Sequence, residues 1–224
     1  MDTSVSVIIR AYNSAQHIHY ALNSVLHQTL PKNLYEVLVV DDGSADNTNE
    51  LVSRYGGPVK LVKSHHVGAV KAANIGIQHA IGAYVTLLDS DDVFEPTALE
   101  ELKGSIEVNK GDVAYCDYYE KDLASGKTVV VSLRDNVFNC VAAGILVRRD
   151  VMLDLGGYDE SLFFPEYDLI IKLIRQKKRF VYVQKPLFTY TRRPGSLTDD
   201  ALQVARGKEQ LFKRHGEIKE LRGY

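Results

Sequence analysis

Cysteine is scarce in this 224-residue sequence, and its distribution excludes two common kinds of site. Cys116 and Cys140 are the only cysteines, and they form no CxxC pair. The sequence therefore indicates neither a disulfide framework nor a cysteine zinc site, and a reducing compartment is expected. The seven histidines show no metal-ligand spacing, so we interpret most of them as surface or packing residues.

An excess of charge of either sign is also missing. The 27 basic and 29 acidic residues give a formal net charge of -2. General nucleic-acid binders usually carry a marked basic excess, so this class of partner is not expected. Affinity for a ligand must come from a local site.

Long apolar runs are absent as well. The runs at 5–9 and 37–40 are strand-sized, far below the roughly 18 residues that a membrane-spanning helix requires. Residues 1–4 lead directly into the first run without the basic start of a signal peptide. We therefore expect a cytoplasmic chain without a transmembrane segment; peripheral attachment to the inner face of a membrane and homo-oligomerisation stay open.

What the sequence does contain is an alternation of strand and helix patterns. The β-branched runs Val5–Ile9 and Val37–Val40 flank the segment Ser14–Gln28, whose apolar residues recur at threes and fours. This is a βαβ unit, and it predicts an α/β fold with a Rossmann-like, mostly parallel central sheet flanked by helices. The alternation of strand and helix patterns changes after Pro96, which indicates a smaller second region.

Acidic residues follow two of the predicted strands. Asp41-Asp42-Gly43-Ser44 ends one strand, and Asp89-Ser90-Asp91-Asp92 ends another. Ligands of open α/β sheets bind outside the carboxyl ends of the strands. Crowded carboxylates repel unless a cation offsets them, and oxygen ligands suit Mn²⁺ or Mg²⁺. An ordinary strand-to-helix turn and a solvated acidic turn are the alternatives for each cluster taken alone.

A series of short motifs in fixed order carries a family resemblance over roughly the first two hundred residues. The motifs are Val5-Ser6-Val7-Ile8-Ile9-Arg10-Ala11-Tyr12-Asn13, Ser24-Val25-Leu26-His27-Gln28-Thr29, Val39-Val40-Asp41-Asp42-Gly43-Ser44, Asn74-Ile75-Gly76, Leu88-Asp89-Ser90-Asp91-Asp92, Gly156-Gly157-Tyr158-Asp159-Glu160 and Tyr190-Thr191-Arg192-Arg193. In this order they resemble a family 2 glycosyltransferase with the GT-A fold. The resemblance implies an inverting, metal-dependent enzyme that moves a sugar from a nucleoside diphosphate, most simply a UDP-sugar, to a hydroxyl of a glycan or lipid-linked acceptor.

The resemblance also divides the chain. It implies one GT-A domain over residues 1–200, with a nucleotide-sugar-binding half at 1–95 and an acceptor-binding half at 96–200. Residues 201–224 are expected to form a charged helical tail.

Site residues follow from the same resemblance. The donor-binding and nucleotide-binding residues that it implies are Arg10, Ala11, Tyr12, Asp41, Asp42, Lys71, Asp89, Ser90, Arg192 and Arg193. Asp42 is expected to face a uracil-like base, while Asp91 binds Mn²⁺ or Mg²⁺ and Asp89 supports the site indirectly. Arg10 is expected to pair with the base edge or with Asp42, or alternatively to form a buried structural ion pair. Lys71 is expected in a loop facing the donor phosphates, or alternatively on a helix surface.

The segment Pro165-Glu166-Tyr167-Asp168 stands where the family carries its catalytic base. Pro165 replaces the first acid of the family's acidic pair, and Glu166 falls at the position of the base. A base must reach the acceptor hydroxyl, which the longer glutamate side chain can do. Asp168 is the alternative base, or else a helix cap or a neighbour that tunes Glu166.

Two other functions were weighed. A sugar-1-phosphate nucleotidyltransferase needs a glycine-rich phosphate loop near the first strand, and Arg10-Ala11-Tyr12-Asn13 supplies none. A non-catalytic nucleotide-sugar binding module is suggested by the altered Pro165–Glu166 segment. The two acidic strand ends argue against it.

Overall fold

The computed structural model describes residues 4–134, 137–139, 143–193 and 200–216. The strands are β1 (Val5–Ala11), β2 (Tyr35–Asp41), β3 (Val59–Lys63), β4 (Tyr84–Asp89), β5 (Val93–Phe94), β6 (Val113–Asp122), β7 (Thr128–Val131), β8 (Ile145–Arg148) and β9 (Phe180–Arg192). The helices are α1 (Ile18–Leu26), α2 (Thr48–Ser53), α3 (Ala69–His79), α4 (Ala98–Asn109), α5 (Arg149–Asp154), α6 (Pro165–Arg175) and α7 (Ala201–His215).

One sheet runs through both halves of the chain, in the order β3-β2-β1-β4-β8-β6-β9-β5, with β7 paired to β6. The first four strands of this order are parallel, whereas β8 is antiparallel to β4 and to β6. In register, Arg10 lies between Val40 on β2 and Asp89 on β4. The acidic ends of β2 and β4 therefore flank the end of β1 at one edge of the sheet.

Burial on both faces explains the continuous apolar character of β1 and β2. Both strands are buried along almost their whole length, and helix α3 packs directly on them. Gly76 permits this contact, since a Cβ there would lie 2.4 Å from Cγ2 of Ile8. The close packing fixes the start of α3 beside the acidic edge.

The second half of the chain contains elements that the sequence patterns above do not specify. Strand β9 runs as far as Arg192, and a register shift against Asp117 accommodates Pro186, which has no N–H to donate to the sheet. Helix α6 begins at Pro165, because proline is tolerated in the first turn. Asp168 therefore lies inside the helix, and its prediction as a helix cap is wrong. Strand β8 and helix α5 were not predicted.

The C-terminal segment is helical from Ala201, as predicted, and residues 217–224 lie outside the described part of the chain. Asp200 caps α7 by accepting hydrogen bonds from the N–H groups of Leu202 and Gln203. Within the described ranges, no helix combines the length and apolar character that crossing a bilayer would take.

Candidate active site

An open cleft of about 340 Å³ lies at the carboxyl ends of β1, β2 and β4. Its lining residues are Arg10, Ala11, Tyr12, Ser14, His17, Asp42, His66, Gly68, Ala69, Ala72, Asp89, Ser90 and Asp91. Seven of the predicted site residues are thus brought together from two acidic strand ends and the end of β1. The position agrees with the rule for ligand sites in open α/β sheets.

Asp42 is held rigidly at one end of the cleft. Its two carboxylate oxygens accept hydrogen bonds from the N–H groups of Val67, at 2.7 Å, and Gly68, at 2.8 Å. Only 3% of the residue is exposed. The loop after β3 therefore fixes the orientation of this carboxylate.

Tyr12 and His66 form an aromatic pair above Asp42. Their rings stack with centroids 4.3 Å apart, and Nδ1 of His66 lies 3.6 Å from the Asp42 carboxylate. Tyr12 is 49% exposed, so the pair presents a planar surface to solvent beside the cleft. No spacing pattern in the sequence distinguishes His66 from a surface or packing residue, because only the fold brings the loop after β3 against Tyr12.

Five predicted site residues do not line the cleft; Glu166 and Arg193 are described below, and the other three are Asp41, Lys71 and Arg192. Asp41 is buried and accepts hydrogen bonds from the N–H and hydroxyl of Ser44, so it shapes the turn after β2. Lys71 is exposed in the first turn of α3; the expectation of a loop is wrong, because the helix begins at Ala69. Arg192 is exposed at the end of β9, in register with Asp122.

Arg10 contacts both Asp89, at the acidic end of β4, and Glu166, the predicted base. Its Nε donates to Oδ1 of Asp89 at 2.9 Å, and its Nη1 lies 4.0 Å from Oε1 of Glu166. The predicted pairing of Arg10 with Asp42 is therefore wrong, because the register of β1 and β4 places Asp89 directly beside Arg10. Burial lowers the pKa of Arg10, but the charges of Asp89 and Glu166 outweigh it, so the net pKa is raised and the guanidinium stays charged.

The acidic cluster after β4 contains carboxylates in different surroundings. Asp91 is partly exposed and accepts a hydrogen bond from Nε of Arg193 at 3.1 Å. Asp92 is buried and accepts from the N–H of Thr191 at 2.8 Å. Burial, together with the charge of Asp89, raises the pKa of Asp92 well above its usual range. Asp91 is thus the member of this pair that faces the cleft.

A polar chain crosses the floor of the cleft beside Asp91. The hydroxyls of Ser14 and Ser90 lie 2.9 Å apart, and Nε2 of His17 lies 3.5 Å from the Ser90 hydroxyl. Burial lowers the pKa of His17, and the nearby charge of Arg193 adds to this effect. Sequence reasoning missed Ser14 and His17, although both follow β1 within one helical turn of the predicted ligand edge.

The side chains that face the cleft fit a metal ion whose ligands come mainly from the substrate. Among the residues that the structure describes, no three His, Cys, Asp or Glu side chains converge on one point. Asp91 offers a single carboxylate to the cleft, and Mg²⁺ sites are commonly built from one or two carboxylates together with substrate phosphates. An all-protein metal cage does not fit these residues, whereas a site shared between Asp91 and phosphate does.

Glu166 lies in the first turn of α6, and Arg10 lies within ion-pair distance of both Asp89 and Glu166. The side chain of Glu166 is 22% exposed. Burial raises the pKa of Glu166, and the charge of Arg10 opposes this only in part. Asp168 is fully buried, so an acceptor hydroxyl cannot reach it in this arrangement.

Comparison with known proteins decides the family. Residues 6–156 match the family model described as Glycosyl transferase family 2. The chain belongs to glycosyltransferase family 2. This family 2 chain is 27% identical to the glycosyltransferase GlyG of Streptococcus pneumoniae, over 96% of the chain and 80% of that protein. It is 33% identical to the glycosyltransferase AglE of Haloferax volcanii, over 70% of the chain but only 57% of AglE.

Solved structures show the same fold. Staphylococcus aureus TarS 1–349 in complex with UDP-GlcNAc superposes with a TM-score of 0.77 at 24% identity, covering 89% of this family 2 chain and 61% of TarS 1–349. The mannosyltransferase PcManGT from Pyrobaculum calidifontis, in complex with GDP-Man and Mn²⁺, gives 0.78 at 19% identity, covering 96% and 64%. The predicted GT-A fold is confirmed. The chain spans about three fifths of each of these solved proteins.

Proposed function

We propose that this chain is an inverting glycosyltransferase that moves a sugar from a UDP-sugar to a hydroxyl of a glycan or lipid-linked acceptor. The observation that carries the proposal is the series of contacts from Asp89 through Arg10 to Glu166, beside the cleft that Asp42 and Asp91 line. Arg10 lies within 4.0 Å of the candidate base and hydrogen-bonds to the acidic strand end. A candidate base of raised pKa next to a cleft with acidic strand ends supports the proposal.

The donor nucleoside binds at the end of β2 in this proposal. Tyr12 and Ala11 contact the nucleoside, and Asp42 faces the edge of a uracil-like base. The diphosphate then extends along the cleft toward Ser90 and Asp91. Arg193, whose guanidinium already lies at Asp91, suits phosphate oxygens, while Arg192 and Lys71 supply positive charge further out.

Asp91 holds the divalent cation, Mn²⁺ or Mg²⁺, together with the donor phosphates. When bound, the cation supplies Lewis-acid stabilisation of the negative charge that develops on the leaving diphosphate. Asp89 contributes indirectly, because its carboxylate is engaged by Arg10. The complex of PcManGT with GDP-Man and Mn²⁺ supports a metal-assisted reaction.

Glu166 acts as the general base. It removes the proton of the acceptor hydroxyl as that oxygen attacks the anomeric carbon, and the bond to the diphosphate breaks on the opposite face. The electron pair of that bond leaves with the nucleoside diphosphate, and the new glycosidic linkage is inverted. A raised pKa increases the proton affinity of Glu166 and so favours this role.

Calorimetric titration of UDP, with and without Mn²⁺, tests the donor and metal assignments. We expect Asp91→Ala to weaken Mn²⁺-dependent UDP binding by about tenfold or more, as loss of groups at metal sites commonly does. Glu166→Ala and Asp154→Ala, the latter removing an exposed aspartate of α5, should bind as the wild type does.

Failure of the wild type to bind UDP would refute the donor. Binding of UDP that is the same with and without Mn²⁺ would refute the metal site. Donor binding without turnover on any acceptor would instead favour a binding module.

A further inference from the structure

Helix α7 lies directly against the chain that leads into Glu166. Gly207 is buried there, and a Cβ at this position would lie 2.7 Å from Cδ1 of Phe163 and 2.8 Å from the Phe164 ring. The side chain of Gln210 accepts a hydrogen bond from the N–H of Phe163 at 3.1 Å. The two residues before Pro165 are therefore covered by α7 at close range.

A second contact ties α7 to the first turn of α6. Nε2 of His215 lies 2.7 Å from Oδ1 of Asp168, and these side chains are 5% and 1% exposed. Arg175 approaches Nδ1 of His215 at 2.9 Å and donates to its carbonyl oxygen at 2.7 Å. Because arginine can only donate, Nδ1 accepts and Nε2 carries the proton that is donated to Asp168.

Further charges fix the same segment. Arg214 pairs with Asp159, at the start of the loop that leads to α6, and Lys172 lies 2.7 Å from the second oxygen of Asp168. Asp168 is thus held from α6 itself and from α7. Burial of a carboxylate is unfavourable unless it is paired and hydrogen-bonded. The contacts with His215 and Lys172 therefore stabilise the buried Asp168 side chain.

We propose that Asp168 and His215 are positioning residues for Glu166, and that α7 is part of the catalytic unit. Asp168 follows Glu166 by two residues in the same helical turn, so fixing its side chain fixes the start of α6. A general base must meet its proton at hydrogen-bond distance, and a misplacement of about 1 Å can cost roughly 100-fold in rate. This inference rests on the proposed role of Glu166.

The test compares His215→Ala, His215→Gln and the control His79→Ala. His79 also lies in the last turn of a helix, but it is exposed and bonds only to the backbone of its own helix among the contacts described. Turnover of a UDP-sugar gives kcat and KM, calorimetry gives the UDP affinity, and hydrogen exchange reports the amides of residues 159–170. The amide N–H of glutamine can replace the donor that Asp168 loses in the alanine variant.

We expect His215→Ala to lower kcat by about tenfold or more while donor KM and UDP affinity change less than about twofold, as for an interaction that acts on the transition state alone. Exchange should rise in residues 163–168 and not in β1 or β2. His215→Gln should recover most of kcat, and His79→Ala should change nothing.

Three results would overturn the inference: an unchanged kcat, a parallel loss of kcat and UDP affinity, or no recovery with glutamine. If hydrogen exchange in residues 163–168 were the same in His215→Ala as in the wild type, the contact with α7 would not constrain the position of Glu166. A wild type that binds UDP and turns over no donor would refute the proposed function itself, which separates the two failures.

Discussion

The proposed donor side and the proposed base side of the site hold their carboxylates in opposite ways. On the donor side, both oxygens of Asp42 accept main-chain hydrogen bonds at 2.7 and 2.8 Å. On the base side, the ion-pair partner of Glu166 is Arg10 at 4.0 Å, beyond hydrogen-bond distance, and burial raises the pKa of Glu166. A carboxylate that recognises a base edge needs a fixed direction, whereas one that removes a proton needs proton affinity.

The two sides also differ in how the chain builds them. Val67 and Gly68, which fix Asp42, lie 25 and 26 residues after it. The base side depends on residues at greater separation, such as His215, which is 47 residues from Asp168. The carboxylate of Asp42 is therefore fixed by residues nearer in the sequence than those that fix Asp168.

The substitution Glu166→Gln should give the largest effect, which is on the rate of sugar transfer. The amide cannot take a proton from the acceptor, so we expect transfer to fall by about 100-fold to 10,000-fold, the usual contribution of a general base. UDP affinity should stay within about twofold, because the proposed role of Glu166 is in the transition state and not in donor binding. Steady-state transfer assays and calorimetry measure the two quantities.

The matched control is Glu50→Gln, which removes an exposed acid from the first turn of α2. It should leave both quantities unchanged. If Glu166→Gln lost rate and UDP affinity to the same extent, the proposed donor side and the proposed base side would not be functionally separate.

The pH dependence of kcat tests the same contrast on a smaller scale. Glu166 works only when deprotonated, so kcat should rise with pH through the pKa of Glu166, which burial places above the ordinary glutamate value of about 4.3. Arg10 lowers that pKa, so Arg10→Gln should move the rising limb to higher pH. A limb at or below about 4.3 in the wild type, or a shift to lower pH in the variant, would contradict this account.

Local pattern was enough to predict much of the donor side. Apolar β-branched runs gave β1 and β2, and the acidic residues after β2 and β4 predicted where a ligand would meet the sheet. Parallel strands end at the same edge, so both acidic ends were expected at one edge, and the position of β1 between β2 and β4 brings Asp42 and Asp91 into one cleft.

Pairing across the fold could not be predicted in the same way. The sequence left three partners open for Arg10, namely a base edge, Asp42 or a buried ion pair, and only the register of β1 against β4 places Asp89 beside it. His66, His17 and His215 have no spacing signal, since each acquires its partner through a loop or helix packed from elsewhere. Side-chain identity alone does not reveal such contacts.

The smallest predicted effect concerns the joint between the two halves. Asn74 on α3 accepts a hydrogen bond from the N–H of Tyr158 and donates to its carbonyl oxygen, both at 2.9 Å. Gly157 makes room for it: its φ is +74°, and a Cβ would lie 2.5 Å from Oδ1 of Asn74. Gly157→Ala should therefore lower the free energy of unfolding by about 1–3 kcal/mol in urea denaturation, through backbone strain and a disturbed hydrogen-bonded pair.

Gly104→Ala makes the same substitution but should change the free energy of unfolding in the opposite direction. Gly104 lies inside α4 with open space where a Cβ would stand, so alanine should raise the free energy of unfolding by about 0.5–1 kcal/mol through its higher helix propensity. Equal effects from both variants would mean that the Asn74 joint adds nothing beyond ordinary backbone preference.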